Sequence, residues 1–341
     1  MFLKTLFVNG KIFTGGKTLP YADAMSVSLG GIDCIGTTKD VLESVGATSL
    51  YDEKLKEFTV VDLQEKTVIP GIVEINGSPI VTTKTGNGDI SLSEETRLAG
   101  DLVNGLQVFA ENGIVAMAEM GTNLTSFLPD DLDIFQCYTE ASERGLPQYV
   151  SCYYPWAAIK DGTNPVEDKS RLIRNRKVHV AGIAIKKTDM LTSDELDQVI
   201  EFCKNNYLQL SIDSDATETI EMMRERAARE DDWLQDVGVP PVRIKYTMRS
   251  ENPFENIGLT VNDLVNQHGL DSRLAVESAV RLYTSESAQL AGFLGVGELK
   301  LGSGASFMIL PIDIFAARGD DIMQVKPEAV YIDGRCIYAT A

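Results

Sequence analysis

Histidine is nearly absent from this chain: 2 of 341 residues, His179 and His268. Any site that needs three or four imidazoles is thereby excluded. Basic residues are also scarce, with 31 Lys plus Arg against 50 Asp plus Glu and a net charge of −19. Such a chain repels phosphate backbones and anionic lipid, so neither nucleic acid nor a membrane surface is an expected partner. No apolar run reaches the ~18 residues of a membrane helix. The opening stretch to Phe13 is broken by Asn9-Gly10 and reads as strand and turn, without a leader's cleavage pattern. The five cysteines (Cys34, Cys137, Cys152, Cys203, Cys336) are odd in number and show no C-x-x-C spacing. They read as reduced, mostly buried thiols of a cytoplasmic protein. No G-x-G-x-x-G follows a strand and no G-x-x-x-x-G-K-[ST] occurs, which leaves nucleotide binding of those kinds unsupported.

What is present is ordinary globular material, 44% hydrophobic and 24% charged, enough to build a core. Both ends look β-rich. Leu6-Phe7-Val8, Asn9-Gly10 and Lys11-Ile12-Phe13 predict a hairpin, as do Ala24 to Ile35 around Gly30-Gly31 and Ala329 to Tyr338 around Asp333-Gly334. The middle alternates strand and helix. Strands are expected at Thr67–Val73, Gly113–Ala118, Tyr149–Tyr154, Val178–Ile185, Leu208–Ile212 and Val242–Thr247. Amphipathic helices are expected at Glu94–Glu111, after the capping box Thr192-Ser193-Asp194-Glu195, at Glu218–Leu234 and at Ala275–Ala291. Repeated β-then-α order with buried strands implies a parallel sheet, and many short units favour a (β/α) barrel. The expected fold is therefore α/β. A TIM-like barrel over residues 67–295, with six strand candidates and so short of closure, stands beside a small β-sandwich-like domain built from residues 1–66 and 296–341.

Several segments resemble the amidohydrolase superfamily, closest to its large N-acyl and formamide amidohydrolases. Leu6 to Gly15 resembles the family's opening strand pair. Val60-Val61-Asp62-Leu63 followed by Thr67 to Glu74 resembles its entry into the first barrel strand. Gly302–Leu310 and Val330–Tyr338 resemble its closing strands, and Asn252-Pro253-Phe254 the segment after strand eight. The resemblance implies a metal-dependent hydrolase of non-peptide C–N bonds, usually with zinc. The ligand positions it implies are not filled. Asn76 and Ser78 stand where the family has two histidines after Pro70-Gly71, and Ala184 where it has the bridging lysine. Asp213 stands at the strand-five histidine and Tyr246 at the strand-six one. Asn and Ser are weak neutral ligands that cannot replace two imidazoles.

The expectation is therefore a homologue that has lost its metal centre, binds no cofactor, and acts as a binding or structural protein. The alternative is a hydrolase of amide or cyclic amide bonds that works through Glu74, Glu119, Lys186 and Asp213, all placed near C-terminal strand ends. Asn76, Ser78, Tyr154 and Tyr246 are the candidate binding residues. A small-molecule ligand and a homodimer are the expected partners, the latter to cover the open edge of a short barrel. His179, early in its strand, and His268, at a helix end before Gly269, read as structural.

Overall fold

The computed structural model describes residues 4–75, 94–120, 134–160, 162, 177–185, 189–212, 216–227 and 252–340. The N-terminal segment supplies β1 (Thr5–Val8), β2 (Lys11–Phe13), β3 (Tyr21–Ala22), β4 (Ala24–Ser28), β5 (Gly31–Gly36) and β6 (Thr59–Asp62). Strand β7 (Thr67–Pro70) follows, and the last residues add β13 (Phe307–Leu310), β14 (Ala329–Ile332) and β15 (Arg335–Ala339). One four-stranded sheet has the order β5-β4-β1-β6, and a six-stranded sheet the order β15-β14-β13-β7-β2-β3. The second sheet mixes strands from both ends of the chain, because β7 pairs with β2 on one side and β13 on the other. Phe7, Ile12, Val27, Val68, Phe307 and Ile309 meet in one buried cluster. The Phe307 ring stacks on Tyr331 at 4.7 Å and meets the edge of Phe7 at 5.0 Å.

Two of the three expected hairpins form. Leu29-Gly30 joins β4 to β5, and Asp333-Gly334 joins β14 to β15, with positive φ at all four turn residues, as a type I′ turn requires. The expected hairpin at Asn9-Gly10 does not form. Both sides of β1 are taken by β4 and β6, and β2 is taken by β3 and β7. Asn9, at φ 57°, turns the chain from one sheet into the other. Gly10 passes so close to Leu63 that a Cβ there would lie 2.5 Å from its Cδ1.

The middle of the chain forms β8 (Ile72–Ile75), β9 (Ile114–Glu119), β10 (Tyr149–Pro155), β11 (Val178–Ile185) and β12 (Gln209–Ile212). All neighbours are parallel and the sheet order is β12-β11-β10-β9-β8, the chain order of a barrel. The helices Glu94–Glu111, Ile134–Glu143 and Ser193–Asn206 cover one face. The capping box of the last is formed as expected: Thr192 accepts from the Glu195 amide, Glu195 accepts from the Thr192 amide, and Leu196, Val199, Ile200 and Cys203 are buried. The sheet is a curled half-barrel of five strands among the described residues.

Two further expectations need correction. The strand foreseen over Thr67–Val73 is two strands in different sheets, divided at Gly71, where a Cβ would fall 2.3 Å from Val115 Cγ1. The helix foreseen over Ala275–Ala291 is interrupted: Ser272–Arg281 is α-helical, Leu282–Glu286 forms a π turn, and Ser287–Leu290 resumes the helix. The Ser287 hydroxyl, which donates to the Leu282 carbonyl at 2.6 Å, helps hold the widened turn. Asn252 caps the helix Pro253–His268, which ends as foreseen at Gly269, φ 64°. Val242–Thr247 lies outside the described residues.

The β10–β11 register shifts at Cys152/Tyr153, leaving Ala181 as an extra residue before Gly182. A Cβ on Gly182 would sit 2.2 Å from the Gln209 carbonyl oxygen and 2.8 Å from the Tyr153 ring. Gly182→Ala is therefore expected to cost about 2 kcal/mol through backbone displacement, read as a lower urea midpoint at unchanged slope.

Candidate functional site

In a barrel the reactive side chains sit at the C-terminal strand ends. These ends are Ile75, Glu119, Pro155, Ile185 and Ile212, side by side because the five strands are parallel and in chain order. Strand register decides which face each side chain joins. Glu74 is level with Met117, and Glu119 with Cys152. Met117 and Cys152 belong to the cluster beneath the helices, together with Leu102, Tyr138 and Tyr154. Glu74 and Glu119, 2% and 1% exposed, thus face the helical layer. Tyr138, from the helix Ile134–Glu143, donates to Glu119 Oε2 at 3.0 Å. Burial, then the Glu119 carboxylate, hold the Tyr138 phenol well above its usual pKa, so it remains a donor. Tyr154 is a buried member of the same cluster.

The opposite, inner face carries Ala116, Ala118, Tyr153, Ala181 and Ala184. Ala184 lies between Pro155 on β10 and Ser211 on β12 and is 4% exposed. Its methyl group offers no donor where the resemblance implies a lysine. Tyr153 Oη donates to Gln209 Oε1 at 2.5 Å and lies 3.2 Å from the Leu290 carbonyl. Ser151 Oγ is buried without a hydrogen-bond partner. Among the described residues no three His, Cys, Asp or Glu side chains are grouped to hold a metal ion. Asn76, Ser78, Lys186, Asp213 and Tyr246 lie outside the described residues, so Glu74, Glu119 and Tyr154 are the candidates whose setting is seen. Sequence reading missed Tyr138 and Tyr153. Along β10 the alternation is regular, so Tyr153 joins the inner face and Tyr154 the helical one.

His179 lies near the start of β11, far from the strand ends. Its ring meets the edge of Phe293 at 5.4 Å and hydrogen-bonds the Gly292 backbone. Burial lowers its pKa, and the bond to Gly292 only partly offsets this. None of the five cysteines is in a disulfide; Cys137, Cys152 and Cys203 are buried, and burial raises the Cys203 thiol to about 12. No helix among the described residues is long and apolar enough to cross a membrane.

Two measurements check this geometry. Tyr138→Phe removes a hydrogen bond from the buried Glu119 carboxylate and is expected to lower stability by about 1–3 kcal/mol, measured by urea unfolding. A histidine whose folded pKa lies below its unfolded value of about 6.5 lends stability that is whole above that value and fades as pH falls through it. The wild-type urea midpoint should therefore drop more steeply than that of His179→Gln between about pH 7 and pH 5.

Residues 249–338 match the model of the Amidohydrolase family. No curated protein sequence matches the chain. Among solved structures, an uncharacterised metal-dependent hydrolase from Pyrococcus horikoshii OT3 superposes with a TM-score of 0.63 at 12% identity, over 93% of this chain and 99% of that one. An amidohydrolase from a Sargasso Sea environmental sample gives 0.61 at 15% identity, over 98% and 93%. An adenosine deaminase from Xanthomonas campestris with bound zinc gives 0.61 at 11% identity, over 98% and 92%. Residues 249–338 thus resemble the Amidohydrolase family in sequence, and the chain shares the fold of these solved hydrolases.

Proposed function

We propose that this protein is an amidohydrolase-superfamily member that has lost the metal centre and acts as a binding or structural protein. The observation that carries the reading is Ala184. It sits on the inner face of β11, buried between Pro155 and Ser211, and has no atom to bridge or bind a metal. Metal-activated hydroxide is what makes C–N hydrolysis fast at neutral pH, and it needs nitrogen, sulfur or carboxylate ligands in a tight set. The buried carboxylate of Glu119 is engaged by Tyr138 on the helical side, which supports a structural role for it. Asn76, Ser78 and Asp213 in the sequence point the same way. A homodimer belongs to the proposal, since the five-stranded parallel sheet seen among the described residues needs its end strands covered.

Elemental analysis of protein purified without chelator is expected to give substoichiometric zinc, nickel, iron and manganese. A panel of amide, cyclic amide and aminopurine substrates is expected to show no turnover that chelator abolishes. Stoichiometric metal with chelator-sensitive hydrolysis would overturn the reading. Light scattering at micromolar concentration should give the mass of two chains, and a monomer mass would reject the dimer.

A further inference from the structure

A cavity of about 1070 Å³ opens away from the C-terminal strand ends. It lies against the first half of β11, the start of β12 and the Arg281–Lys300 stretch. Its size is that of a site for a small organic molecule. Three features set it apart. Its rim carries Tyr207 and Leu294, 98% and 97% exposed. Tyr207 also holds a left-handed φ of 55°, a cost that a bulky side chain rarely bears without gain. The π turn Leu282–Glu286 places Ser285 and Glu286 on the wall, and such turns concentrate at functional sites. Finally, Arg281 lines the cavity, and its Nε is buried without an acceptor. Its Nη2 is 3.6 Å from Glu277.

The charge of the wall fixes the ligand class. Lys17, Arg281 and Lys300 face Glu286 and Glu298, and Lys300 already pairs with Glu298 at 2.8 Å. In a chain of net charge −19 this wall carries more basic than acidic groups. Two carboxylates there disfavour a polyanion, whereas one negative group can meet the exposed part of the Arg281 guanidinium, whose side chain is 19% exposed. Phe293 and Tyr207 offer aromatic surface for a ring.

We propose that this cavity binds a small ring-bearing compound with a single carboxylate, at the end of the half-barrel opposite its C-terminal strand ends. The site does not depend on whether the protein is catalytic. The test is calorimetric titration of the full chain with phenylacetate and with its neutral analogue phenylacetamide. Phenylacetate is expected to saturate one site and to bind at least about tenfold tighter than the amide. Arg281→Gln should abolish that preference. Because Arg281 also lies over the Phe13 ring, two variants at exposed positions back it up. Leu294→Asp should weaken phenylacetate by about fivefold or more, and Lys17→Glu by about threefold, with unchanged unfolding midpoints. Absence of saturable binding up to about 10 mM, equal affinity for acid and amide, or affinity indifferent to all three variants would each overturn the proposal.

Discussion

The architecture depends on where β7 is held. This four-residue strand is central in its sheet, with a parallel partner from the start of the chain and an antiparallel one from its end. All four of its residues are buried, and its backbone donors and acceptors are used on both edges. One residue later, Gly71 releases the chain into β8, the first strand of a different sheet. The half-barrel is therefore anchored at its first strand by a sheet that exists only when both termini are in place. Gly71 can mark that boundary because no side chain fits beside Val115.

A second tie joins the two parts lower down. Tyr149 and Lys177, at the starts of β10 and β11, each hydrogen-bond a different carboxylate oxygen of Asp333 in the β14–β15 turn. The Lys177 ammonium also lies 3.9 Å over the Tyr149 ring. Burial lowers the Lys177 pKa and Asp333 opposes the shift only in part, so the ion pair offsets some but not all of its desolvation. The turn that closes a hairpin in one sheet thus fixes the entry points of two strands in another. Asp333 is both a turn residue with positive φ and the acceptor of that contact.

Much of this fold was legible in the sequence where local chemistry decides. The Thr192–Glu195 capping box, the Asp333-Gly334 turn and the boundaries of β11 follow from residue type and spacing alone. Long-range partners were not legible. Asn9-Gly10 has the composition of a hairpin turn, yet its flanking strands have better partners elsewhere, and no local rule weighs those. At the candidate site, the absence of imidazoles and the alanine at 184 could be read directly. That Glu74 and Glu119 face the helices could not, because alternation predicts a face only once the register with a neighbour is known. The β8–β9 register itself shifts between Ile72 and Val73, just before Glu74.

The position of β7 also sets an order of events during synthesis. Its antiparallel partner β13 lies about 240 residues further along the chain. At 5–20 residues per second a ribosome needs about 10–50 s to make that stretch. Until then one edge of β7 presents unpaired backbone groups of the kind that recruit stray strands. The half-barrel strands β8 to β12 emerge within that interval, so they condense next to an edge that is still open. Closure of the mixed sheet is a late, long-loop step, and a nascent chain stalled before Phe307 would carry a formed parallel sheet with an unfinished anchor.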